Sequence, residues 1–160
     1  MQDISPTTGL PFYSGSWDVI RDALKVLKIG NAKLDSLTVE TVNGFQERSD
    51  RYIDGILFDL YKTPFKSKKR VNRAGIVYDE FPGDIKQVAI YYTCYLLMSS
   101  EYQGVSPNVN EHTNTFKDDA EKMLFSLRKN THWVPNADRK SQISRTMPPS
   151  WQPAFINLPV

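Results

Sequence analysis

The chain has 160 residues, a formal net charge of +2, 24% charged and 40% hydrophobic side chains, and one cysteine. These values fit one globular domain with an additional segment and a modest core. They exclude an intramolecular disulfide, and a net charge this small argues against a dedicated nucleic-acid binder, so any basic character has to be local.

The first 15 residues are polar and carry Pro and Gly. They lack the basic and apolar regions of a signal peptide, and residues 1–15 are expected to be an extended segment. The apolar spacing of Val19, Ile20, Ala23, Leu24 and Leu27 predicts a first helix from about Trp17 to Leu27, capped by Ser16 and stopped at Gly30-Asn31. A second helix is expected from about Val39 to Tyr61, capped by Thr38. Its stripe runs through Val42, Phe45, Ser49, Tyr52, Ile53, Ile56, Leu57, Leu60 and Tyr61, and Pro64 ends it. A third is expected from about Asp84, at the cap, to Tyr102. Its middle, Val88–Met98, is apolar nearly all round, so neighbours must cover it on most sides, other subunits among the candidates. Cys94 lies in this run as a small hydrophobe, and the chain reads as folding in the cytosol. Tyr91, Tyr92, Tyr95 and Tyr102 read as core, as interface, or as both. A fourth helix is expected from about Val109 to Lys129, capped by Asn108, with Phe116, Ala120, Met123, Leu124 and Leu127 facing inward. No apolar run reaches the length of a membrane span.

Two segments break the helical pattern. Phe65–Phe81 reads as a short β-hairpin or a long loop, with Gly75 available for the turn. It carries a basic cluster: Lys66, Lys68, Lys69, Arg70 and Arg73. The cluster has three readings: solvated, paired with an acidic partner surface, or facing phosphates. The segment from Val134 to Val160 holds half of the chain's prolines yet keeps Ile143, Met147, Trp151, Phe155, Ile156 and Leu158. Disordered tails are poor in such residues, so an extended arm docking these side chains on another subunit is favoured over an arm folded back on its own domain. The fold expected is therefore all-α: a four-helix core over residues 16–133, a small β-hairpin insertion at about 65–81 and an extended C-terminal arm over 134–160.

Reactive chemistry is sparse. His112 and His132 are isolated, no Gly-rich phosphate loop occurs, and no Gly-x-Ser-x-Gly elbow is present. Asp118, Asp119 and Glu121 read as a solvated face. Asp79, Glu80 and Asp84 read as caps for the third helix rather than as ligands for a hard cation. No catalytic, cofactor or metal residues are therefore assigned, and an enzyme is not expected.

One phrase closes the second helix, with Leu57, Tyr61, Pro64 and Phe65 in order. Another, Pro82-Gly83-Asp84-Ile85-Lys86-Gln87-Val88-Ala89, opens the third. In this the chain resembles the head–tail connector adaptor proteins of tailed phages, over about Ser16 to Lys129. Val88 departs from the Ala that the family often has there. The resemblance implies a virion protein without catalytic residues: a homo-oligomeric ring, expected at twelve copies, beneath the portal protein. It would extend the DNA channel, dock a downstream neck or tail component, and touch DNA non-specifically. It involves no membrane, and the host cytoplasm holds the protein before assembly. The alternatives are a tail-completion or neck protein one layer lower, and a small helical nucleic-acid-binding protein using the basic hairpin.

Overall fold

In a computed structural model of the protein, residues 4–29, 37–102, 107–129, 134 and 137–140 are described. Four helices form where the sequence carries apolar stripes: α1 (Ser16–Ile29), α2 (Val39–Leu57), α3 (Gly83–Glu101) and α4 (Pro107–Arg128). Strands β1 (Lys68–Val71) and β2 (Val77–Glu80) pair antiparallel between α2 and α3. The all-α architecture with one hairpin is as expected, and most of the arm lies outside the described residues.

The helix ends depart from expectation wherever a tertiary contact outbids a local one. Thr38 does cap α2, its hydroxyl accepting the Thr41 amide at 3.2 Å. Ser16 does not cap α1. It lies inside the helix, the Gly15 carbonyl takes the Asp18 and Val19 amides, and the Ser16 hydroxyl turns to Gln46 at 2.9 Å. Gln46 is fully buried, and its amide nitrogen donates to the Ser14 carbonyl at 2.7 Å. A buried amide must find partners, and this one recruits Ser14 ahead of α1 and Ser16 at its start. Asp84 stands in the first turn of α3, with Pro82 at the cap position. α4 opens at Pro107 rather than after Asn108. The first helical position suits proline, whose missing N–H would have had no partner there.

α2 stops four residues before the expected end. Residues 58–60 form a turn, and Tyr61, fully buried, bridges to Arg139. The Lys62 amide donates to the Asp138 carbonyl at 2.8 Å, and the Lys140 amide to Leu60 at 3.0 Å. Val134 is buried and Ala137 packs against the core. Thus the beginning of the segment expected to reach another subunit lies on its own domain at 134 and 137–140. Backbone groups freed by the end of α2 find partners there. Ile143, Met147, Trp151, Phe155, Ile156 and Leu158 lie outside the described residues.

α3 is central and joins two buried clusters. Ile85, Val88 and Ala89 pack with Ile53, Leu57, Tyr61, Leu124 and Leu127. Further along, Ile90, Cys94, Leu97 and Met98 pack with Val19, Ala23, Leu27, Val42 and Val109. A helix apolar on most sides is covered here by α1, α2 and α4 of the same chain. The Cys94 thiol is fully buried, 3.6 Å from the Val19 carbonyl, and burial pushes its ionisation upward. The tyrosines divide. Tyr102 is buried, while Tyr92 is partly buried and stacks on Tyr52 with ring centroids 4.2 Å apart.

The segment before α1 is more than an extended lead. The Ser5 amide donates to the Leu10 carbonyl at 2.8 Å, and Phe12, Tyr13 and Ser14 are buried. The pair Phe12-Tyr13, two aromatic residues in a polar stretch, was the available sequence signal.

Candidate docking site

The turn between β1 and β2 is set by Asn72. Its side-chain oxygen accepts the amides of Ala74 and Ile76, each at 2.9 Å, and Gly75 takes a φ of +77°, where a side chain would be strained. Register then pairs Lys68 with Glu80, Lys69 with Asp79, Arg70 with Tyr78 and Val71 with Val77. Directly paired residues share a face, and faces alternate along the strands. One face therefore carries Lys68, Arg70, Tyr78 and Glu80. The other carries Lys69, Asp79, Val71 and Val77.

The ribbon stands away from the helices. Val71 is 65% exposed, Ile76 60%, Val77 58% and Tyr78 42%. Its base is fixed by Tyr13, which touches both ends of the insertion. The Tyr13 ring meets Phe65 edge-on at 5.8 Å and Phe81 at 5.0 Å. The Tyr13 hydroxyl accepts the Phe65 amide at 2.9 Å and donates to Asp54 at 2.6 Å, while the Tyr13 amide donates to Asp50 at 3.1 Å. Burial, reinforced by the Asp54 and Glu47 carboxylates nearby, pushes Asp50 up to about 7 against the partial relief of the Tyr13 amide. One Asp50 oxygen is buried without a hydrogen-bond partner among the described residues.

Along the ribbon runs a groove of about 660 Å³, lined by residues of both its faces, Val77 and Asp79 included. Its other walls are residues 11–15, Phe81 and Pro82 just ahead of α3, and Gly83 and Lys86 at the start of that helix. Lys66, Lys68, Arg70 and Lys86 enter it, against Asp79 and Glu80.

The five basic residues singled out from sequence have different environments. Arg70 pairs with Glu80 at 2.7 Å and Lys69 with Asp79 at 3.2 Å. The Ser67 hydroxyl, together with Lys69, holds Asp79 below the usual carboxylate range. Asp79 and Glu80 thus complete the ribbon and do not cap α3, because register sets them opposite the β1 cations. Lys66 lies 3.9 Å from Asp138, and Lys68 and Arg73 are exposed. Lys86 belongs to the same surface and was missed as a site residue. It pairs with Asp18 at 2.7 Å, and Asp18 also holds Arg21 at 3.2 Å.

The other acidic group behaves as a solvated face, with Asp119 3.9 Å from Lys122 and Glu121 3.8 Å from Lys117. His112 is exposed, and His132 is outside the described residues. Among the described residues no three His, Cys, Asp or Glu side chains gather to hold a metal ion.

No protein-family model, no curated protein and no solved structure matches the chain.

Proposed function

We propose that the chain is a structural adaptor subunit of a tailed-phage head–tail junction, adding as a ring beneath the portal and receiving a neck or tail component. The sequence resemblance motivates this reading, and the observation that carries it is the hairpin. Four large apolar side chains, Val71, Ile76, Val77 and Tyr78, stand 42–65% exposed within eight residues on a ribbon built to project. An isolated two-stranded ribbon gains little stability from such residues, whereas a partner surface that covers them gains apolar burial. Residues 141–160 are proposed as a second contact, with Trp151 and Phe155 as anchors. A nucleic-acid reading of the hairpin is weakened because Lys69 and Arg70 are engaged by Asp79 and Glu80.

The test is assembly on a portal ring, followed by native mass spectrometry and electron microscopy. The full chain is expected to add as a closed ring, and the chain with Val71→Ser and Val77→Ser to add poorly while remaining folded. If the full chain leaves the portal ring unchanged, the portal adaptor reading fails, and a neck position one layer lower takes its place.

A further inference from the structure

The ribbon offers two kinds of chemistry: exposed apolar side chains at Val71, Ile76 and Val77, and cations at Lys68 and Arg70 along the groove. We infer that the groove is a docking site for an acidic, extended peptide segment of a partner protein. This deepens the docking role proposed above and rests on it.

Charge comes first. Lys66, Lys68, Arg70 and Lys86 outnumber Asp79 and Glu80 along the groove. The Asp79 carboxylate is spoken for by Ser67 and Lys69. Lys68 is exposed, and the Lys66 side chain is 87% exposed with the Asp138 carboxylate 3.9 Å away. Exposed ion pairs of this kind contribute about 1 kcal/mol or less each, so an incoming carboxylate can exchange with them at small cost.

Shape comes second. A volume of about 660 Å³ takes a few residues of extended chain, not a nucleic-acid duplex. Single-stranded nucleic acid needs open aromatic faces on which bases stack. The Phe12, Tyr13 and Phe81 rings are buried, and Tyr13 and Phe81 are packed edge to face. Tyr78 alone among the lining aromatic residues is substantially exposed. Prolines 11 and 82 and Ile76 add apolar wall, which suits aliphatic side chains set among the acidic ones.

The occupant is foreign to the chain's own terminus. Residues 141–160 contain no Asp or Glu and carry Arg145, so their charge repels rather than complements the groove.

The experiment is fluorescence anisotropy on the full chain with three labelled probes. They are a twelve-residue peptide of glutamates with leucine at every third position, its glutamine counterpart, and a twelve-nucleotide thymidine strand. The glutamate peptide is expected to bind best, more weakly as salt rises, and about tenfold more weakly to the Lys66→Ala, Lys68→Ala double variant. The Lys122→Ala variant, altered on α4, is expected to bind it as the parent does. No binding of the glutamate peptide, equal binding of the glutamine peptide, tighter binding of the thymidine strand, or an unchanged double variant each overturns the inference. Assembly of the full chain on the portal ring is read separately. Failure of the peptide to bind while the full chain still adds to the portal ring overturns the groove and leaves the adaptor reading standing.

Discussion

Helix α3 and the β1–β2 ribbon are both rich in large side chains, and they meet opposite fates. In α3, Ile85, Val88, Leu97 and Met98 are at most 1% exposed, whereas in the ribbon Val71, Ile76 and Val77 are 58–65% exposed. Hydrophobicity alone does not sort them. A long helix presents side chains in every direction, and three other helices are available to cover it. Among the described residues, the ribbon of two four-residue strands gains no third strand, and no helix packs on it to any extent. The lesson is that apolar residues stabilise the fold only where the topology supplies a neighbour. Where it does not, they are surface features available to a partner.

That contrast can be broken at three points. The largest effect belongs to the core. Leu97→Ala, at a side chain with no exposure, is expected to lose about 2–5 kcal/mol in urea denaturation followed by circular dichroism. A loss below about 1 kcal/mol would mean that α3 is less tightly covered than its contacts indicate.

A middle effect lies where the two regions join. Burial raises Asp50 from 3.8 to about 7. The folded chain therefore keeps a proton that the unfolded chain releases as pH climbs from about 4 to 7. Its stabilising contribution is whole below 3.8 and is lost as pH rises through the folded value near 7. Asp50→Asn keeps an acceptor for the Tyr13 amide and removes this loss. The variant is expected to exceed the parent by up to about 4 kcal/mol at pH 8 and nearly to match it near pH 4. An equal difference at both values would rule out titration of Asp50 as the cause.

The smallest effect on stability belongs to the ribbon. Val71→Ser with Val77→Ser is expected to change the unfolding free energy by no more than about 0.5 kcal/mol, as surface changes do. The same pair is expected to weaken addition to the portal ring. A stability loss comparable to that of Leu97→Ala would show the ribbon to be covered in the free protein, and the contrast would collapse.

Much of the fold was legible because it depends on local periodicity. The stripes of α1, α2 and α4, the Thr38 cap and the Gly75 turn all follow from spacing and from backbone preference. The missed features depend on residues far apart in the chain. α2 ends early because Tyr61 enters the core and pairs with Arg139, 78 positions on. Ser16 leaves the cap for Gln46, 30 positions on. The basic cluster at 66–73 was visible in sequence, but the hairpin brings Asp79 and Glu80 across from it, where they form ion pairs with Lys69 and Arg70 while Lys68, opposite Glu80 in register, stays exposed. Lys86 joined that surface unannounced, since only folding brings the start of α3 beside the ribbon.

By itself, then, the sequence determined the kind and order of the elements, because helix and hairpin signals act over a few residues. Tertiary structure decided where the elements stop, which apolar residues are covered and which charges share a groove. Those outcomes turn on hydrogen bonds and packing between distant segments, where a buried polar group takes the partner that folding brings to it.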